Sequence, residues 1–233
     1  MSTNKYATAI LATHLLAAAA CATPIVNVST GAAYDGSLIA FNSLDHDWSL
    51  TFAPANVGLG SASVVAPARA DFTNLEPLAR WISPSPEMSA DDAPWGYYTY
   101  EMQFAVRLDL FSGLSIVGQY AADNRLIDMR LNGHTFFVGP NVSGASCAPT
   151  GCREFESPGA PISFSMTDQS LFVNGLNALQ VTIENQGPTF GNPTSFALAG
   201  AVNGTPIPEP GSIALLGVGL TALRARRHRQ LQT

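Results

Sequence analysis

Four groups of side chains in this chain carry enough chemistry to suggest a site. The first is carboxylate pairs: Asp45 with Asp47, Asp91 with Asp92, and Glu154 with Glu156. Two carboxylates about 5–10 Å apart across a cleft can hydrolyse a glycosidic bond. Nothing in the sequence around these pairs would raise the pKa of one member, and solvated acidic loops account for them. The second group is Cys147 and Cys152, with four residues between them. As metal ligands they would need two partners, and His134 stands apart in sequence. In an oxidising compartment they read as a disulfide clipping a small loop, worth about 2 kcal/mol. The third is Asp123-Asn124 with Arg125, placed just before an apolar alternation where a loop would project. That pair could hydrogen-bond a sugar or lend oxygen ligands to Ca²⁺, and ordinary turn chemistry explains it as well. The last is Trp48, Trp81 and Trp95, whose rings could stack on sugars but more often anchor a core. Trp95, bracketed in Pro94-Trp95-Gly96-Tyr97, has the best claim to exposure. The candidate ligand-binding set is therefore Trp95, Asp123, Asn124 and Arg125. No metal site and no cofactor are expected beyond that open Ca²⁺ reading.

Nucleophilic catalysis lacks its parts. His14 and His228 belong to the terminal segments, which leaves His46 and His134 as bases, and no serine elbow, metal-ligand helix or phosphate loop is present.

The elements that must position these residues are strands. Tyr98, Tyr100, Met102, Phe104 and Val106 alternate with Thr99, Glu101, Gln103, Ala105 and Arg107, the period of a half-buried strand. Ile127, Met129 and Leu131 alternate with Leu126, Asp128 and Arg130, and Asn132-Gly133 then predicts a hairpin turn. Leu179, Val181 and Ile183 form a third alternation. Weaker strand candidates are 25–29, 38–41, 48–52, 62–66, 114–121, 161–164 and 196–202, and 74–80 predicts one or two helical turns. About ten short strands with turn signals between them predict an all-β sandwich. No internal repeat and no long linker interrupts them.

Composition narrows the function. Between the terminal segments lie six arginines, no lysine and sixteen of the seventeen acidic residues, a formal charge of −10. Such a body repels phosphate backbones, so nucleic acid is not an expected partner. Roughly 180 residues bury about 70% of their unfolded surface, enough for one core without metals.

Both ends of the 233-residue chain carry export chemistry. Lys5 precedes an apolar run to Ala20, and Ala20-Cys21-Ala22 offers small residues at signal-peptidase spacing, predicting cleavage after Ala22. Cys21 as a lipidated N-terminus is a minor alternative. The other end reads Pro208-Glu209-Pro210, an apolar run from Ile213 to Leu223, then Arg224, Arg226, Arg227 and Arg229. Eleven residues as a helix span about 16 Å, short against a hydrocarbon core of about 30 Å. The arginines hold the cytoplasmic side, which leaves the middle outside.

This tail resembles the PEP-CTERM sorting signal of Gram-negative bacteria that make extracellular polysaccharide. The resemblance implies recognition by an exosortase, a membrane-embedded cysteine protease that removes the tail. The middle is similar in segment order to galactose-binding-like jelly rolls, through Tyr98 to Phe104, Ala121 to Asn124, Met129 to Gly133, Gly175 to Val181 and Glu184-Asn185. The expectation is a signal peptide (1–22), a jelly-roll β-sandwich (23–205) and a sorting signal (206–233) with a short transmembrane helix (213–223). Its expected partners are signal peptidase and exosortase, with transient inner-membrane insertion and extracellular polysaccharide as the candidate ligand. The protein reads as non-enzymatic and bound for the cell surface or extracellular matrix. The alternatives are a glycan-active hydrolase and a purely structural matrix component.

Overall fold

The strongest period-two segments become strands, and their apolar phase faces inward. Tyr98 and Tyr100 are fully buried, and Met102, Phe104 and Val106 are 5% exposed or less. The computed structural model describes residues 22–66, 75–89, 93–140, 161–185 and 193–207, with Gly217, Gly219 and Leu220, which are helical. The expected signal helix, the motif Pro208-Glu209-Pro210, the four arginines of the tail and both cysteines lie outside the described residues. So do Asp91, Asp92, Glu154, Glu156 and most of the 213–223 run. Among the described residues no helix is long and apolar enough to cross a membrane.

The strands are β1 (Thr23–Asn27), β2 (Leu44–Phe52), β3 (Gly60–Val65), β4 (Trp81–Ser83), β5 (Gly96–Val106) and β6 (Phe111–Asp123). They continue with β7 (Arg125–Leu131), β8 (His134–Val138), β9 (Ile162–Met166), β10 (Gly175–Asn185) and β11 (Ser195–Pro206). Among the described residues, helical structure before the tail is limited to 3₁₀ turns at Glu87–Ser89 and Gln169–Leu171.

The fold is all-β, and its ladder is continuous: β8-β7-β10-β5-β2-β3-β4-β11-β6-β9, with β1 also on β11. The named pairings are all antiparallel. Two separate sheets were expected. Here β2, β3 and β4 carry the hydrogen bonding around a corner, and the register of β2 on β3 breaks between Asp45 and Ser49. Such a bulge bends and twists a strand, which lets the sheet fold over on itself. At the far side its two outer strands meet through rings: Phe137 on β8 and Phe164 on β9 stand 6.1 Å apart. The sheet is thus nearly closed around a core in which Phe196 packs edge-on to Trp48 at 5.6 Å and against Tyr100 at 4.8 Å.

Two sequence expectations are corrected. Residues 38–41 form no strand; Leu38 makes only an isolated bridge to Ala32. Past Ile39, whose N–H still reaches Gly31 O, a turn closed by Ser43 N–H on Ala40 O ends the pairing. In β7 the alternation changes phase, because Thr182 faces Asp128 but Ile183 faces Leu126, so Ile127 is the extra residue of a bulge. Leu126 is buried and Ile127 is not, the reverse of a single-phase reading. Of the predicted turns at 74–80, one is present, with Leu78 and Ala79 N–H groups on Leu75 O.

Register fixes two ends. At the upper end β5 starts, β6 and β10 finish and β11 begins, with Gly96 across from Asn185 and Asp123 across from Ser195. At the lower end Phe111 pairs with Pro206 and Thr23 with Gly204. The Asn132-Gly133 hairpin, with φ of 52° and 82°, turns there as predicted. The eleven residues of β5 separate the two ends by about 33 Å.

Candidate functional site

The four predicted ligand residues come together at the upper end, yet only Trp95 is largely exposed. Trp95 is 68% exposed, and its base is fixed from below. The Tyr98 hydroxyl donates to Pro94 O at 2.7 Å, and the Asn185 side-chain amide donates to Ala93 O at 3.0 Å and Pro94 O at 3.2 Å. Burial pushes the Tyr98 phenol up to about 12, so it stays a donor. The next residue, Gly96, has φ of 141°, and a Cβ there would lie 2.9 Å from Pro54 Cγ. Glycine therefore lets the β2–β3 loop close onto the root of Trp95.

Asp123 and Asn124 do not project on a loop. β6 runs straight to Asp123 and β7 starts at Arg125, joined by Asn124 through a cis peptide bond. Asp123 is 2% exposed and Asn124 is 7% exposed. The Asn124 N–H donates to Glu184 O at 3.2 Å, and the Thr194 hydroxyl donates to Asp123 O at 3.4 Å. A short crossing between two full-length strands leaves no slack for a loop, so these groups stitch β6, β10 and the start of β11 together. Arg125 lies beside Glu184, its Nε 2.6 Å from Oε2. The two side chains are 12% and 7% exposed, so the guanidinium is spent on an ion pair at the margin of the core.

The other chemical groups are dispersed. Trp48 and Trp81 are core residues, 0% and 1% exposed. Asp45 is buried and accepts from the N–H groups of Gly31 at 2.7 Å, Asp47 at 3.0 Å and Trp48 at 3.1 Å. Burial raises its pKa, and the neighbouring Asp47 charge adds to that; the three N–H groups oppose it. Asp47 is exposed, so the two carboxylates do not face each other across a cleft. His46 and His134 are both exposed, and neither hydrogen-bonds a hydroxyl among the described residues. Among the described residues no three His, Cys, Asp or Glu side chains converge as metal ligands. A groove of about 330 Å³ lies between β1 and the Tyr34–Gly36 turn. Its one charged group, Asp35, has its pKa lowered by the Ser37 hydroxyl and N–H it already binds.

Sequence reasoning missed two residues on the outer face beside Trp95. Tyr97 is 47% exposed because it takes the opposite phase to Tyr98 and Tyr100. The period-two count contains that signal. Phe52 is 56% exposed and faces Thr99, because Thr51 is an extra residue between the Leu50–Tyr100 and Phe52–Thr99 pairs. No alternation count finds a bulge, so Phe52 was illegible.

Residues 206–230 match the PEP-CTERM protein-sorting motif. No curated protein matches the chain. Among the solved structures that resemble it are the following two. One is an FMN-binding beta-glucuronidase from Facaelibacterium prausnitzii L2-6, at a TM-score of 0.35 and 12% identity over 67% of this chain. The other is described as a beta-galactosidase from Bacteroides fragilis, at a TM-score of 0.34 and 10% identity over 67% of this chain. The chain spans 22% of the length of either.

Proposed function

We propose that this chain is an exported, non-enzymatic protein, delivered by a signal peptide and held briefly in the inner membrane by its C-terminal tail. Exosortase removes the tail, and the β domain is left at the surface or in the extracellular matrix of a Gram-negative cell. The nearly closed sheet is read as a jelly roll that displays its upper end for extracellular polysaccharide. The observation that carries the sorting reading is the match to the sorting motif over 206–230, which begins at Pro206, the last residue of β11. The ladder ends where the motif begins. Ile207 makes one more hydrogen bond, N–H to Leu110 O at 2.8 Å, and Pro208 has no N–H with which to continue.

The test is the intact mass of the chain expressed in its host, with and without a functional exosortase. The reading expects loss of the tail in the first strain and its retention in the second. It also expects Glu209→Ala to cause retention while the fold is unchanged. An identical mass in both strains overturns it.

A further inference from the structure

Three exposed aromatic residues follow one another at the upper end of the outer face. Trp95 and Tyr97 lie two residues apart on the same chain segment, and Phe52 is the register partner of Thr99, two residues further along β5. Their exposures of 68%, 47% and 56% make a patch that water alone does not favour. The backbone around Trp95 is firm, from the Pro94 carbonyl with its two hydrogen bonds to Pro54 against Gly96. A residue on so fixed a backbone loses less freedom when it meets a ligand.

Below the rings the same face turns polar. The Thr99 and Thr182 hydroxyls are 3.2 Å apart, Gln180 donates to Glu101 at 3.0 Å, and Gln103 donates to Glu101 at 2.9 Å. From Tyr97 to Gln103 is about 20 Å along the strand, the length of an oligosaccharide rather than one sugar. A flat apolar surface continued by hydroxyl and amide groups matches a pyranose, whose ring face is C–H and whose rim is hydroxyl. Charge decides between polymers. The body carries −10, and Glu101 lies in the ladder itself, so an anionic polymer is repelled and an uncharged one is not. A lipid surface would call for lysines, and the body has none.

We propose that Trp95, Tyr97 and Phe52 form a stacking surface for an uncharged polysaccharide that lies along β5. This deepens the polysaccharide part of the reading above and is independent of tail removal.

The test uses the processed protein purified from its host. It is run by affinity electrophoresis through cellulose derivatives, mixed-linkage β-glucan and galactomannan, with polygalacturonate as the anionic probe. Tryptophan emission gives a second readout, since Trp48 and Trp81 are buried and Trp95 is not. At least one uncharged polymer is expected to retard the protein and shift its emission, and polygalacturonate to do neither. Trp95→Ala, Tyr97→Ala and Phe52→Ala should each weaken retardation about tenfold, with unchanged melting temperature, and Tyr97→Phe should keep it. Retardation by no uncharged polymer overturns the inference, as does retardation that survives the triple alanine variant or is matched by polygalacturonate. So does a concentration-dependent dimer lost in Trp95→Ala, which would make the row a contact between copies. Normal tail removal in any of these cases leaves the sorting reading standing.

Discussion

Thr23 lies directly across the ladder from Gly204, so the first strand after the expected cleavage site pairs with the last strand before the sorting motif. Both ends of the domain therefore leave from the lower end. Trp95, Tyr97 and Phe52 stand about 33 Å away at the other. A chain held by its tail would carry those rings on its far side from the bilayer.

That polarity can be measured before the tail is removed. In spheroplasts lacking exosortase, an epitope inserted after Asn56, in the exposed β2–β3 loop, should bind antibody readily. The same epitope after Asp109, in the lower β5–β6 turn, should bind several-fold more slowly. Equal labelling would show that the domain has no preferred orientation.

Phe196 is the register partner of Ile82, the pair through which β4 joins β11, and its ring also meets Trp48 and Tyr100. Phe196→Ala removes a fully buried ring at the corner of the sheet. The expected cost is ~3–5 kcal/mol, read as a lower urea midpoint. A loss under 1 kcal/mol would mean that the corner is not packed as described.

Arg125 and Glu184 form a nearly buried pair, so removing one partner should cost more than removing both. Arg125→Ala strands the Glu184 carboxylate and is expected to lose ~3–5 kcal/mol. The double variant Arg125→Met with Glu184→Leu should recover much of that. If the single change is neutral in a double-mutant cycle, the pair contributes nothing measurable.

Asp45 should make the stability of the domain depend on pH. Its folded pKa is raised, by burial first, so the native state keeps a proton that the unfolded chain has lost. Its contribution to stability is therefore full below the ordinary value of 3.8 and is lost as pH rises through the raised value. Wild type should gain on Asp45→Asn as pH falls into that window, measured as the difference in urea midpoints. The exposed carboxylates Asp35, Asp109 and Asp168, whose pKa values are lowered, are common to both proteins and cancel. A difference that shrinks with acid would mean that the N–H groups of Gly31, Trp48 and Asp47 outweigh burial.

What the sequence disclosed was whatever a single period can carry. β5 and β10 were legible because one face is apolar through an unbroken alternation, Tyr98 to Val106 and Leu179 to Ile183, and Asn132-Gly133 because its left-handed conformation restricts residue choice. β4 was illegible: three residues, all buried, have no period to read. The bulges at Ile127 and Thr51 shift the phase within a strand, which is why Leu126 and Phe52 landed on unexpected sides. Asp123-Asn124 has the composition of a turn, but strand length on both sides, not side-chain type, decided that it would be buried. Trp95 was found because proline and glycine flank it. Its companions Tyr97 and Phe52 depend on cross-strand register, which a linear reading does not contain.

β11 is interior to the sheet, with β6 on one flank and β1 and β4 on the other. Among the described strands it is also the last made and, on the proposed export, the last to cross the membrane. Until it arrives, β6 and β1 have no partner on that side, and the barrel-like wrap stays open. On the proposed reading, completion of the fold would coincide with arrival of the sorting motif, which begins at the final β11 residue. Assembly and delivery would then share a clock: a chain stalled in export would lack the strand that lets it mature, and also the tag that lets it leave.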